Sequence, residues 1–106
     1  MATLEEFQKI ELRIGTVVQA EYHPNAERLL VLKVSLGTEE RQIVAGIRAS
    51  YEPQQLVGRT VVMVANLEPA VIRGVESQGM LLAAQDERGI CLISTEREVT
   101  TGTRVK

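Results

Sequence analysis

From Ile10 to Leu36 most apolar residues fall at even positions. They fall at Ile10, Leu12, Ile14, Val18, Ala20 and Tyr22, then at Leu30, Leu32, Val34 and Leu36. A period of two held this long marks half-buried strands, with even residues turned toward a core. Gly15 sits inside the first run. It suits a bulge or sharp bend, which a long strand needs when it serves two sides of a small barrel.

Turn chemistry divides the rest. His23-Pro24-Asn25-Ala26-Glu27 ends the first strand, because proline cannot donate to a ladder and asparagine favours turns. The second strand is expected over Leu29 to Leu36, the third over Arg41 to Ile47, with Gly37-Thr38-Glu39-Glu40 as the loop between them. Ser50 to Gly58 changes period. Its early proline and closing glycine are the punctuation of one short helix. Arg59 to Ala65 is a fourth strand, apolar enough to be buried on both faces, and Met80 to Ala84 a fifth. Asp86-Glu87-Arg88-Gly89 turns into a further strand, Ile90 to Ile93, and Thr3-Leu4-Glu5-Glu6 matches a capping box at a short leading helix.

Three strands, a short helix and two more strands, with the first strand bent, is the order of an all-β, five-stranded OB barrel. Another small barrel, such as an SH3-like one, is the alternative; the helix between strands three and four argues against it. The chain of 106 residues reads as one domain. Residues 1–8 form the leading helix, 9–93 the barrel, and 94–106 an extension with extra strands that is a candidate dimer contact. No apolar run approaches the roughly 20 residues of a membrane span. The acidic start lacks a secretory layout, and a single cysteine, Cys91, fits a reducing cytosol.

OB barrels bind oligonucleotides on strands two and three and with the loops joining strands one to two and four to five. Here the second of those loops is Asn66 to Gly79, with one arginine, one hydroxyl and one amide beyond the proline. Net charge is −2, which does not suggest a phosphate binder. From Arg28 to Arg73, however, the bases Arg28, Lys33, Arg41, Arg48, Arg59 and Arg73 outnumber Glu39, Glu40, Glu52 and Glu68. With even residues inward, Arg13 and Lys33 point outward on adjacent strands and could share a basic patch with Arg73.

Five phrases now carry a resemblance. They are Glu11-Leu12-Arg13-Ile14-Gly15, His23-Pro24-Asn25-Ala26-Glu27-Arg28-Leu29, Arg41-Gln42-Ile43-Val44-Ala45-Gly46-Ile47, Asn66-Leu67-Glu68-Pro69 and Arg73-Gly74-Val75-Glu76-Ser77-Gln78-Gly79-Met80. In this order they resemble the tRNA-binding OB-domain family, from about Phe7 to the C-terminus. That family includes the C-terminal domain of bacterial methionyl-tRNA synthetases, free-standing structure-specific tRNA-binding proteins and modules of the EMAP II type. The resemblance implies a cytoplasmic, non-catalytic module that recognises the tRNA fold rather than a base sequence. It also implies a homodimer joined through terminal segments, free-standing or attached to a synthetase catalytic domain. A related branch resembles secretion-associated chaperones, dimers that hold extended polypeptide. Glu68 stands where relatives often have lysine, and Ala45 where serine is common; a carboxylate beside a phosphate face weakens attraction.

On that reading Arg13, Lys33, Arg41 and Arg73 supply phosphate contacts. Asn66, Ser77 and Gln78 reach base edges or 2′-hydroxyls, and Met80 presses its thioether on a base. Each has a plainer role open to it. Ser77 and Asn66 suit turns, Met80 suits a core, and Lys33 and Arg41 suit charged guards of an edge strand. With only Phe7, Tyr22 and Tyr51 as aromatics, extended single-strand stacking is poorly provided for.

Enzymatic readings fail. Gly74-Val75-Glu76-Ser77-Gln78-Gly79 has one residue too many before the serine for a nucleophile elbow. The sole histidine, His23, is expected at the surface, and Cys91 in mid-strand as a buried small hydrophobe. One histidine and one cysteine do not make a zinc site, and no nucleotide-cofactor fingerprint is present, so no cofactor is expected.

Overall fold

The computed structural model describes residues 1–106. In chain order the elements are α1 (Leu4–Gln8), β1 (Leu12–Tyr22), β2 (Leu30–Ser35), β3 (Glu40–Ala45), α2 (Pro53–Leu56), β4 (Thr60–Val64), β5 (Ala70–Ile72), β6 (Val75–Ser77), β7 (Met80–Leu81), β8 (Ala83–Asp86), β9 (Gly89–Leu92) and β10 (Arg104–Val105). The main sheet runs β3-β2-β1-β4-β7 and curls into a nearly closed, OB-like barrel, with β10 added beside β1. Both short helices start as the sequence predicts. Thr3 and Glu6 form a reciprocal capping box on α1, and Pro53 occupies the first turn of α2.

β1 organises the molecule. Its first half pairs with β4 (Leu12↔Val64 to Thr16↔Thr60) and its second half with β2 (Thr16↔Ser35 to Tyr22↔Leu30). Gly15 lies where the two halves meet. A Cβ there would run into Val34, so the glycine permits close approach of β1 to β2. The bulge falls three residues later, between Val17 and Gln19. Val18 is the extra residue and is 43% exposed, whereas Val17 is buried.

The alternation therefore describes two cores instead of one. The barrel interior is built from Val17, Leu30, Leu32, Val34, Ile43, Val61 and Met63 among others. Leu12 and Ile14 face the other way. They pack with Val62 and Val64 in a second cluster, covered by Leu82, Val99 and Val105. β4 is buried on both sides for this reason, as its unbroken apolar run predicts. The 94–106 segment is the lid of that second cluster, and β10 pairs Leu12↔Val105 and Arg13↔Arg104.

His23 and Cys91 also differ from expectation. His23 is 5% exposed instead of superficial, because the β5–β6 hairpin folds over it. Cys91 is exposed instead of buried. In the β8–β9 ribbon Ile90 and Leu92 pack toward the core, so period two turns Cys91 outward. The fifth strand, expected as one run, is split into β7 and β8 at Leu82.

Gly79 ends the β5–β6 segment at φ 145°, and a Cβ there would lie 2.7 Å from both Met63 Cε and the Val64 carbonyl oxygen. Gly79→Ala is expected to cost at least about 1–3 kcal/mol, from backbone strain and overlap at this junction. Thermal unfolding followed by circular dichroism checks it; a midpoint unchanged from wild type would contradict this account.

Candidate nucleic-acid interface

The loop read from sequence as Asn66 to Gly79 is itself a small hairpin. Ala70, Val71 and Ile72 pair with Ser77, Glu76 and Val75. The tip is Arg73-Gly74, with φ of 52° and 91°, the double left-handed geometry of a two-residue hairpin turn. Arg73 has the only positive φ outside glycine, a costly conformation for a side chain-bearing residue.

The tip is clasped to the β1–β2 loop. The Asn25 N–H donates to His23 Nδ1 at 2.9 Å, so Nε2 carries the ring proton and donates to the Ile72 carbonyl at 3.0 Å. The Asn25 carboxamide donates to the Arg73 carbonyl (3.3 Å), and the Arg73 guanidinium reaches the Asn25 carbonyl at 3.5 Å. Arg73 has no carboxylate partner and projects into solvent.

The root of the hairpin closes the barrel against β3. The Gln78 N–H donates to the Gln42 carbonyl (2.7 Å), and the Gln78 side-chain oxygen accepts the Gln42 N–H (2.9 Å). The Ser77 hydroxyl accepts the Val44 N–H at 3.0 Å and donates to the Gly79 carbonyl at 3.1 Å. Ser77 is only 4% exposed, so its hydroxyl is occupied inside the fold. Asn66 is a joint as well: its carboxamide accepts the Glu11 N–H (2.8 Å) and donates to the Lys9 carbonyl (2.7 Å).

The four cations fall into two groups. Register places Lys33 opposite Gln19 and Gln42, on the outer face of β1-β2-β3. It has no ion-pair partner there, and Gln42 in turn donates to the Glu76 carbonyl of the hairpin at 2.8 Å. Arg13 does not share that face. It pairs with Met63 and lies on the interior side of β1, at the barrel's end. Arg41, opposite Val34, is on the same interior side. Arg13 binds Glu11 (2.9 Å) and the Gly102 carbonyl (2.8 Å). Arg41 binds Glu39 together with the Ala65 and Gln78 carbonyls at 2.7 and 3.2 Å. Both line one small recess with the two glutamates. Arg13 holds the Glu11 carboxyl below its ordinary range, mainly through their hydrogen bond. Met80 begins β7 and is 50% exposed.

A family model described as "Putative tRNA binding domain" matches residues 12–104. The chain belongs to that family. It is 53% identical over 104 residues, 98% of its length, to a methionine–tRNA ligase of Pyrococcus furiosus, of which those residues make up 14%. Among solved structures, a MetRS-related protein from Pyrococcus horikoshii superposes with a TM-score of 0.92 at 40% identity, covering 100% of this chain and 98% of that one. The chaperone CsaA of Bacillus anthracis superposes at 0.89 with 30% identity, covering 100% and 99%. The chain thus spans a small part of the ligases and nearly all of the two solved proteins. No helix is long and apolar enough to cross a membrane.

Sequence reasoning passed over Tyr22, Arg28 and Arg48. An open cleft of about 810 Å³ lies at the β1–β2 loop, and these three side chains line it with Asn25 and Glu27. The available signal was Tyr22 itself, an aromatic at a strand end that even-inward alternation assigned to the core. It does share the interior side of the sheet with Leu30, but as the last residue of β1 it is left 53% exposed.

Ser77→Ala is expected to strand the buried Val44 N–H, at a cost of about 1–3 kcal/mol. A domain of this size should then melt at least several degrees lower. Differential scanning calorimetry reads this directly, and an unaltered melting temperature would show that Ser77 does not hold the closure.

Proposed function

We propose that this domain binds tRNA, recognising its folded shape, and performs no chemistry itself. The observation that carries the reading is Arg73: an unpaired guanidinium held at the tip of a hairpin that is clasped at His23 and rooted on β3. Lys33 adds a second unpaired cation on the outer face against which the hairpin lies. Membership of the family supports tRNA as the ligand. Phosphate contacts of this kind give affinity without reading sequence. Met80 offers an exposed thioether near the hairpin root. Gln78 and Asn66 contribute chiefly by holding the loop, Ser77 does so entirely, and Arg13 and Arg41 are neutralised by their glutamates. The domain acts as the tRNA-binding part of a methionyl-tRNA synthetase or as a free-standing protein of the same type, in the cytoplasm with the translation machinery.

The proposed assembly is a homodimer through the terminal segments. Leu4, Phe7 and Ile10 are exposed apolar residues on and just after α1, and with Val105 they line a recess of about 430 Å³. Pairing two copies would present two Arg73 tips to one RNA and raise the effective concentration of the second contact.

Binding to tRNA should weaken log-linearly with salt, and Arg73→Ala or Lys33→Ala should each reduce that slope by about one while leaving thermal stability unchanged. Filter binding across a salt series measures it. Capture of an unfolded peptide with no tRNA binding would sink the reading in favour of a chaperone. Light scattering should give twice the chain mass for wild type and a monomer for Phe7→Glu; a monomeric wild type would refute the dimer.

A further inference from the structure

The cleft at the β1–β2 loop has the construction of a stacking platform. The Arg48 guanidinium carbon lies 4.7 Å from the centroid of the Tyr22 ring. Glu52 clips the two together: the Tyr22 hydroxyl donates to its Oε2 at 2.6 Å and Arg48 Nη1 donates to its Oε1 at 3.1 Å. Glu52 is itself fixed, because it caps α2 and its N–H donates to the Gln55 carboxamide at 2.7 Å. The Arg48 N–H donates to the Arg28 carbonyl (3.3 Å), which fastens the loop to the segment bearing Arg48. Two planar groups are thus ordered before any ligand arrives, which lowers the entropy lost on binding. The carboxylate at its hydroxyl also raises the Tyr22 pKa, so the ring stays a neutral phenol.

We propose that this cleft receives one unstacked nucleotide of the bound RNA, with its base on the Tyr22–Arg48 pair and its phosphate on Arg28. The proposal rests on the tRNA-binding reading and names a subsite for it. Every nucleobase offers a π-face, and the guanidinium stacked over the Tyr22 ring leaves an outer planar face on which one such base can stack. A cleft of about 810 Å³ is ample for a nucleotide. Arg28 lines it without a carboxylate partner, although Glu27 also lines it and tempers the charge. Asn25 joins the cleft to the hairpin tip, since its carbonyl meets the Arg73 guanidinium. A phosphate on Arg73 and a base on Tyr22 are therefore served by one loop. His23 also lines the cleft, but it is 5% exposed and both its ring nitrogens are engaged in the hairpin clasp, so the platform takes one base and not a run of them.

The test compares tRNA affinity of wild type, Tyr22→Leu, Tyr22→Phe and Arg73→Ala across a salt series, with melting temperatures checked. Tyr22→Leu should weaken binding about fivefold or more at every salt concentration and leave the salt slope unchanged. Tyr22→Phe keeps the ring and should stay within about twofold of wild type, whereas Arg73→Ala should change the slope. In a second arm, AMP titrated into the free wild-type protein should shift the amide resonances of Tyr22, Arg28 and Arg48. If wild type and Tyr22→Leu bind tRNA equally, the nucleotide subsite is overturned and the tRNA reading survives. If wild type binds no tRNA, both fall.

Discussion

The free edge of β3 is the constraint on which the candidate interface depends. A sheet edge presents N–H and C=O groups that must find partners, and an unpaired one invites association with another chain. Here the partners are largely side chains. A hydroxyl from Ser77 and a carboxamide from Gln78 take the N–H groups of Val44 and Gln42, and Arg41 reaches across to the carbonyls of Ala65 and Gln78. These bonds admit one register, so the β5–β6 hairpin can lie along β3 in only one way. The position of Arg73 follows from that register and from the His23 clasp at the far end.

Charge is distributed by the same economy of partners. Arg13 and Arg41 look like phosphate ligands in a list of cations, yet each is bound to a glutamate and to backbone oxygens at the barrel's end. Lys33, Arg28 and Arg73 have no carboxylate partner. A net charge of −2 is a sum over the whole surface and does not set the local potential, so cations without carboxylate partners act where they stand. Glu52 holds Tyr22 and Arg48 in place, so a carboxylate near the face serves the geometry there.

Much of the fold was legible in the sequence because strands with one buried face announce themselves by period two. β2, β3, β4 and both helices lie where the pattern puts them, within a residue or two at most ends. What the pattern could not carry was the phase. One inserted residue at Val18 exchanges the faces of β1, and Leu12 and Ile14 become core residues of a different core. That phase change also explains why Arg13 and Lys33 part company, whereas Tyr22 is exposed because it ends β1. The β5–β6 hairpin was read as loop because its strands are three residues each and its turn is Arg-Gly instead of the usual Asn-Gly. At the candidate site the sequence located the loop whose hairpin carries Arg73 at its tip. It could not separate residues that face a ligand from residues that face β3, since a serine or glutamine suits either task.

β10 is the last strand in the chain, and its partner, β1, is the first. Until Val105 is in place, Leu12, Ile14, Val62 and Val64 lack part of their cover, and the edge of β1 at Leu12 and Arg13 has no neighbour on that side. Contacts between residues this far apart in sequence form slowly, because a long loop must close before they contribute. During synthesis on the ribosome the domain consequently stays incomplete until nearly its whole length has emerged. A nascent chain stalled within the domain's final dozen residues would display an apolar β-surface, a ready target for chaperones and proteases.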